Sequence, residues 1–444
     1  MLSFFKSLFI HQRFFVLLGL VVLLFMLAYS YPALLGIAKL AVFALVLGLL
    51  IDMTLLYRIK KGLFGYRETP ELFSNGDQND VHIYLENYYP FNIQTQIIDE
   101  LPFQFQRRDV SFIENLKTAA SKSIVYQLRP TERGEYHFGA LNVLVASPLS
   151  LVNRRYVFSA DKMVPVYPSF LQMRKFELIA FSNQKLEYGI KKIRRIGHSM
   201  EFEQIKEYVM GDDYRIINWK ATARRNQLMV NQFQDEKSQQ IFSIIDSGRV
   251  MKMPFEGMSL LDYAVNASLV ISNIAIKKGD KAGLVTFAEK MGILLPAKNQ
   301  MRQMRTIQEG LFNLQTRFLE SDYEKLYANI RHKINRRSLL LLFTNFESLS
   351  ALQRQLPSIR KIAKRHLVVV IFFENTELKE LLEAPADGVL PIYQKTIAEK
   401  FAFEKRQIVK ELQLHGIQAI LTSPQNLTVN TINKYLELKS RGLI

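Results

Sequence analysis

The adjacent carboxylates Asp212 and Asp213 are the first residues in this sequence whose types and spacing could support chemistry. They follow Gly211, and three glutamates stand shortly upstream, at positions 201, 203 and 207. Paired carboxylates can act as general acid and base or hold a metal ion. However, an aspartate after a turn glycine most often caps a helix, and adjacent helical residues point in different directions. We therefore expect Gly211 to supply a turn and Asp212 to cap a short helix.

Other catalytic patterns are missing from the sequence. The seven histidines are dispersed and form no two-histidine metal pattern, and the chain has no cysteine. The sequence has neither a Gly-x-x-x-x-Gly-Lys-Ser/Thr phosphate loop nor a Gly-x-Ser-x-Gly nucleophile elbow. We therefore expect no zinc hydrolase, thiol enzyme or nucleotide-binding enzyme, and no cofactor.

The elements that must position any site begin with a predicted membrane hairpin, residues 1–61. The run FFVLLGLVVLLFMLAY carries no charge, and a second apolar run extends to Tyr57. We interpret both as membrane spans rather than a cleaved signal peptide, because no cleavage site follows the first run. Lys39 and Asp52 fall near the ends of the second run, where a lysine can snorkel and an aspartate can reach the interface.

Basic residues flank both apolar runs, and the connection between the runs is uncharged. The positive-inside rule then places both ends of the hairpin in the cytoplasm. The sequence thus predicts a multi-pass protein of the plasma (inner) membrane with its soluble domains in the cytoplasm.

Three further regions follow the hairpin. Residues 62–171 show short alternating runs separated by turn residues, which predict an antiparallel β-sandwich. Residues 172–238 form a charged connector and a cassette that contains the single tryptophan. Residues 239–444 alternate continuous apolar runs with amphipathic helices, which predicts a doubly wound α/β domain with a parallel sheet.

The cassette carries a run that resembles the signature of the bacterial domain-of-unknown-function family fifty-eight. The residues that carry this resemblance are Tyr208, Gly211, Asp212, Asp213, Arg215, Trp219, Lys220 and Arg224. The resemblance covers roughly Arg58 to Phe287. It implies that the partner is an AAA+ ATPase of the MoxR type, with the pair acting in chaperone-like assembly or activation.

The layout of residues 239–444 resembles a von Willebrand factor A domain, whose members hold a divalent metal through Asp-x-Ser-x-Ser and later threonine and aspartate residues. In this sequence Asp246 is present, but Gly248 and Val250 stand at the serine positions, and Thr344-Asn345 ends a later strand. Hard divalent cations need several oxygens and net negative charge. We therefore expect a degenerate site without a tightly bound metal, in which Asp246 is a hydrogen-bonded residue at a strand end.

The net positive charge of the chain predicts attraction to acidic surfaces. Lys+Arg number 58 against 41 Asp+Glu, a formal net charge of +17. On a membrane-anchored protein such basic clusters can lie against anionic headgroups. Nucleic acid is not expected as a partner, because no recognisable DNA- or RNA-binding motif accompanies the charge.

The expected function is that of a membrane-tethered, non-enzymatic interaction protein. The alternative is a membrane-bound, metal-dependent hydrolase that uses Asp246 with Asp212 or Asp213. Within the cassette we expect Trp219 to be buried as an anchor. Arg224 faces a partner or pairs internally with Asp212 or Asp213, and the sequence leaves both possibilities open.

Overall fold

Two long apolar helices dominate the start of the chain. Helix α1 (Leu2–Ser7) and strand β1 (Leu8–Ile10) precede them, and the long helices are α2 (Gln12–Ser30) and α3 (Leu35–Tyr57). Few of their side chains are buried, and by length and composition both helices can cross a membrane. The predicted pair of apolar helices is confirmed at that level.

The protein is described from a computed structural model, which covers residues 2–107, 110–159, 161–181, 200–210, 212, 214–235, 238–383 and 388–444. The chain forms two units, Met1–Tyr167 and Pro168–Ile444. Each unit has its own apolar core.

The remainder of the first unit is rich in β-strands. The strands are β2 (Leu63–Glu68), β3 (Phe73–Ser74), β4 (Asn79–Asn87), β5 (Ile93–Asp99), β6 (Ser111–Leu116), β7 (Ser121–Leu128), β8 (Gly134–Phe138), β9 (Leu141–Ala146), β10 (Val152–Phe158) and β11 (Lys162–Tyr167). They form sheets in the orders β1-β10-β9-β5-β6, β3-β11-β8 and β2-β4-β7. The predicted alternation holds, since every second residue of β4 is buried. The strands are divided among several sheets, and all the pairings are antiparallel except β3 with β11.

Asp52 ties α3 to this β-rich region. Its carboxylate is buried and accepts hydrogen bonds from the backbone N–H groups of Leu151 and Val152, both at 2.8 Å. The Ser147 hydroxyl donates a third hydrogen bond. The charge of Asp52 is therefore satisfied by protein donors, and not by a membrane–water interface as its position near a helix end suggested.

The second unit combines a six-stranded sheet with a separate two-stranded ribbon and a short two-stranded hairpin. Its strands are β12 (Met200–Glu207), β13 (Met229–Asp235), β14 (Gln240–Asp246), β15 (Pro254–Phe255), β16 (Met258–Ser259), β17 (Lys281–Phe287), β18 (Met291–Lys298), β19 (Leu339–Phe343), β20 (Leu367–Phe373) and β21 (Gln418–Thr422). The six-stranded sheet has the order β18-β17-β14-β19-β20-β21, and β18 alone among these strands runs antiparallel to its neighbour. Strands β12 and β13 form the ribbon.

Helices cover both faces of the six-stranded sheet. The helices of this unit are α4 (Phe170–Phe181), α5 (Trp219–Arg225), α6 (Leu260–Lys277), α7 (Met301–Phe312), α8 (Tyr323–Lys333), α9 (Leu349–Ala363), α10 (Thr376–Glu383), α11 (Val389–Leu414) and α12 (Leu427–Ser440). Ile241 and Ile245 of β14 share one core with α6 and α12, whereas Phe242 and Ile244 share another with α8, α9 and α11. Because successive residues of a strand point to opposite faces, these two cores lie on opposite sides of the sheet.

Candidate functional site

Asp246 ends the central strand β14 where the order of the sheet reverses, between β17 and β19. Its side chain is buried, and its Oδ1 accepts hydrogen bonds from the Gly248 N–H at 2.9 Å and from the Ser321 hydroxyl. Its Oδ2 accepts hydrogen bonds from the hydroxyls of Thr344 at 2.7 Å and Tyr323 at 3.3 Å. These four donors occupy both carboxylate oxygens. We call these five residues the Asp246 cluster.

Ser321 is a member of the Asp246 cluster that sequence reasoning missed. It stands 75 residues after Asp246, just before α8. A Cβ added to Gly248 would overlap the Ser321 hydroxyl, so this hydroxyl takes the space that a serine side chain at position 248 would fill. Tyr323 was missed for the same reason: no spacing in the sequence connects either residue to a strand end so far upstream.

Burial is the main influence on ionisation within the cluster. It raises the pKa of Asp246 above the ordinary value of 3.8, while hydrogen bonds from Ser321, Gly248, Thr344 and Tyr323 act in the opposite direction. Burial also raises the pKa of Tyr323, and the nearby Asp246 charge adds to that rise. The cluster thus disfavours the negative charge that a cation ligand must carry.

The surroundings of the cluster do not fit a hard divalent cation. Its cavity of about 120 Å³ is lined in part by Arg249, which lies 3.9 Å from Glu320. Val250 packs against the apolar core, and the Asn345 Oδ1 accepts a hydrogen bond from the Lys405 ammonium at 2.6 Å. Of the carboxylates that line this cavity, Asp246 already accepts four hydrogen bonds and Glu320 lies within 4 Å of two arginine side chains. The Asn345 amide oxygen already faces a positive charge, which also disfavours a cation.

The cassette folds around the ribbon, and helix α5 lies in the connection between its two strands. We call this connection, residues 208–228, the ribbon tip. Asn218 caps α5, because its side chain accepts a hydrogen bond from the Ala221 N–H at 3.0 Å. The Thr222 hydroxyl accepts a hydrogen bond from the Met229 N–H, also at 3.0 Å. These two hydrogen bonds cap α5 and join it to the start of β13.

Two predicted roles in the cassette are wrong. Asp212 does not cap α5, because Asn218 does; the Asp212 carboxylate accepts a hydrogen bond from the Val209 N–H at 3.1 Å and pairs with Lys206 at 3.0 Å. The Val209 N–H and then Lys206 hold the pKa of Asp212 below its ordinary value. Trp219 is not a buried anchor, because its side chain is 69% exposed at the first residue of α5. Asn218, the residue before it, makes the contact with β13 instead.

The ribbon tip exposes large apolar and basic side chains together. Its exposed apolar residues are Val209, Met210, Tyr214, Trp219 and Leu228. Its exposed basic residues are Arg215, Lys220, Arg224 and Arg225. Solvent-exposed apolar groups rimmed by charge are typical of a surface that meets another molecule.

The described site residues of the cassette do not line the same cavity as Asp246. In the described part of the tip no residue lines the cavity at Asp246, whereas Asn345 does line it. Asp212 therefore gives the hydrolase alternative no support. Tyr208 is half-buried, and its N–H donates a hydrogen bond to the Leu228 carbonyl at 2.8 Å.

Three of the sequence predictions concern residues outside the described ones. They are Gly211, Asp213 and most of the charged connector, residues 182–199. Internal pairing of Arg224 with Asp212 is wrong, because the partner of Asp212 is Lys206.

Comparison with known proteins identifies one family. The family described as "Protein of unknown function DUF58" matches residues 204–413. This range begins later and ends later than the resemblance expected from the sequence. The uncharacterized protein YeaD of Bacillus subtilis (strain 168) is 28% identical over 224 residues, which are 49% of this chain and 54% of that protein. The chain therefore spans about half the length of this curated relative.

Solved structures resemble the chain only weakly. The CARDB domain of the PF1109 protein from Pyrococcus furiosus has a TM-score of 0.18 and 14% identity, over 23% of this chain and 86% of that one. Proximal thread matrix protein 1 from the mussel byssus has a TM-score of 0.28 and 12% identity, over 46% of each chain. At these TM-scores neither likeness carries an argument about this protein. The family match does: residues 204–413 of this chain belong to the DUF58 family.

Proposed function

We propose that this protein is a membrane-tethered, non-enzymatic interaction protein that works with an AAA+ ATPase of the MoxR type. The observation that carries the proposal is the ribbon tip, where Trp219 and Tyr214 are each 69% exposed and Arg224 is exposed as well. Tryptophan, tyrosine and arginine are the residue types that contribute most to protein–protein binding energy. The partner's identity rests on the family resemblance of the cassette.

The local framework of the tip supports a preformed binding surface. Asn218 caps α5, and its amide also donates a hydrogen bond to Asn231 of β13 at 2.8 Å. A backbone that is already held in a helix and hydrogen-bonded to a strand needs little further ordering when a partner binds. Trp219 and Arg224 lie near opposite ends of this helix.

The rest of the chain provides the scaffold and the tether in this proposal. We assign the six-stranded sheet with its antiparallel edge strand and two helical layers to the von Willebrand factor A-like class, a fold that presents binding surfaces at its strand ends. Helices α2 and α3 anchor the protein as a multi-pass hairpin in the inner membrane, with the β-rich part of the first unit and the second unit in the cytoplasm. The net charge of +17 favours contact with anionic headgroups.

The Asp246 cluster supports the non-enzymatic part of the proposal. Catalysis by Asp246 would require a carboxylate oxygen available to substrate or water. Here both oxygens accept hydrogen bonds from inside the protein. We therefore regard the cluster as a structural element at the carboxyl end of β14.

Affinity capture with matched variants tests the function. The detergent-solubilised full chain should retain the ATPase in the presence of ATP, and Trp219→Ala and Arg224→Ala should each reduce capture by about tenfold or more. Matched controls are Phe318→Ala, an exposed aromatic residue elsewhere in the same unit, and Arg302→Ala, an exposed arginine of α7. Both controls should capture as well as the unaltered chain. Equal capture by all four variants would rule out the tip as the binding surface, and absence of any ATPase would rule out the partner.

A further inference from the structure

A second and larger cavity lies at the carboxyl ends of β20 and β21, beside α10 and α11. Its volume is about 480 Å³, within the range of pockets that hold small organic ligands. Its walls are mainly apolar, and Phe255, Leu260 and Phe373 among the lining residues are buried. Leu378, Leu382 and Phe401 complete the apolar surface nearer to solvent.

Lys405 brings a partly buried positive charge to this apolar cavity. Its ammonium donates hydrogen bonds to the Asn345 Oδ1 and to the Phe346 carbonyl oxygen, both at 2.6 Å. An ammonium has three N–H donors, and these two bonds use only two of them. Within the described residues no carboxylate oxygen forms an ion pair with Lys405. Glu347 is near enough to influence its charge without forming one.

Partial burial of an ammonium without an ion-pair partner is costly, because a charge loses favourable contact with water unless an opposite charge accompanies it. Burial lowers the pKa of Lys405 to about 8, and Glu347 opposes this change. An anion in the cavity would supply the missing counter-charge and accept the third N–H. Lys405 thus lines an apolar cavity with one N–H donor unused and with no ion-pair partner among the described residues.

We propose that this cavity binds a small amphipathic carboxylate, with its carboxylate on the Lys405 ammonium and its apolar body against Leu378, Leu382 and Phe401. The Lys405 ammonium matches one negative charge. Glu347 and Glu374 in the lining are exposed, as is Arg406, so a polyanion such as a nucleoside triphosphate meets repulsion from two carboxylates. The apolar walls likewise disfavour a fully polar ligand such as a sugar acid.

This site is separate from the Asp246 cluster and from the ribbon tip. The two cavities share Asn345 and Glu347 in their linings, but Asp246 lines only the smaller one and Lys405 only the larger one. The described residues of the ribbon tip line neither. The binding of a carboxylate is therefore independent of the proposed ATPase partner.

Calorimetric titration of the full chain in lipid nanodiscs tests this proposal, with empty nanodiscs as the blank. The probe is 4-phenylbutanoate, and its uncharged amide, 4-phenylbutanamide, is the matched ligand. We expect saturable binding of one carboxylate per chain, and amide binding that is at least roughly tenfold weaker, because the amide forms no charge-assisted pair. Equal binding of the two ligands, or no saturable binding of the carboxylate, would overturn the proposal without any variant.

A pair of lysine variants locates the site. Lys405→Met keeps the length of the side chain and removes its charge, and it should weaken carboxylate binding by roughly tenfold or more while leaving amide binding unchanged. Lys400→Met, at an exposed position on the same helix, should bind the carboxylate as the unaltered chain does. Loss of binding in both variants, or in neither, would place the carboxylate outside this cavity.

Discussion

The Asp246 cluster and the ribbon tip show opposite uses of the same kinds of residue. Both regions combine an aspartate with polar or aromatic neighbours. At the carboxyl end of β14, Asp246, Tyr323 and Thr344 are buried and hydrogen-bonded to one another. At the tip, Trp219 and Arg224 face solvent, while Asp212 is occupied within a turn. The comparison teaches that polar residues near a strand end stabilise the fold when they are enclosed, and are available to a partner only when they are exposed.

The largest expected effect would come from removing the carboxylate of the buried cluster. Asp246→Ala leaves the Gly248 N–H and the hydroxyls of Ser321, Thr344 and Tyr323 without their acceptor, so we expect a loss of about 1–3 kcal/mol in the free energy of unfolding. Hydrogen exchange of the β14 amides in the detergent-solubilised chain measures this loss. The control is Asp246→Asn, which keeps the shape and one acceptor. If the β14 amides of the Asp246→Ala protein exchanged no faster than those of the unaltered chain, the cluster would not stabilise the carboxyl end of β14.

The second effect is the pH dependence that the buried charge imposes. Burial raises the pKa of Asp246 in the folded state, so the folded protein binds this proton more tightly than the unfolded chain does. Its contribution to stability is therefore most favourable below the ordinary pKa of 3.8, and it falls as pH rises toward the folded pKa, by up to about 1.4 kcal/mol per pH unit.

Asp246→Asn has no such titration, so it should gain stability relative to the unaltered chain as pH rises above about 4. Urea unfolding of both proteins over a series of pH values tests this difference. A constant difference between the two proteins would mean that Asp246 has the same pKa in the folded and unfolded states.

A smaller effect is expected at the base of the ribbon tip. Asn218→Ala removes the N-cap of α5 and its hydrogen bond to Asn231, and we expect a local cost of about 1 kcal/mol. Hydrogen exchange of the α5 amides should report the loss, while the β14 amides remain unchanged. Asn226→Gly is the matched control, because Asn226 has a φ of 58° that glycine adopts without strain. Equal exchange in both variants would show that the cap does not hold the helix.

The smallest effect on stability is expected for Trp219→Ala. A side chain that is 69% exposed loses little burial on truncation, so we expect a change within about 0.5 kcal/mol. The thermal midpoint of the full chain in detergent should stay nearly constant. A drop of several degrees in the thermal midpoint would show that the ring is buried. Trp219 would then resemble the enclosed residues of the Asp246 cluster.

Local elements of the second unit were predictable from the sequence. The apolar run ending at Asp246 predicts a strand, and the structure has β14 at Gln240–Asp246. Helix α6, one of the helices predicted between the apolar runs, begins at Leu260 with Ser259 as its N-cap. Such elements follow from the spacing of apolar residues and from end signals that are close together in the chain.

Side-chain environments were predicted less well. Trp219 follows two isoleucines, which suggested burial, but the cap at Asn218 sets the direction of the helix start and leaves the ring outside. The predicted β-sandwich divides into several sheets, because pairing between distant strands is not determined by the alternation within each strand. Asp52 was expected at an interface, yet backbone N–H groups about a hundred residues away bind it.

The sequence by itself determined the pair of apolar helices, the alternating strands of the first unit and the buried strands of the second. These features depend on charge and on apolar periodicity within short stretches, and both are properties of the chain before it folds. Only the tertiary structure decided that Ser321 and Tyr323 meet at Asp246 and that Lys405 is partly buried with no ion-pair partner among the described residues. Those outcomes depend on contacts between residues 60 to 77 positions apart, which form only when loops at the carboxyl ends of the strands are brought together.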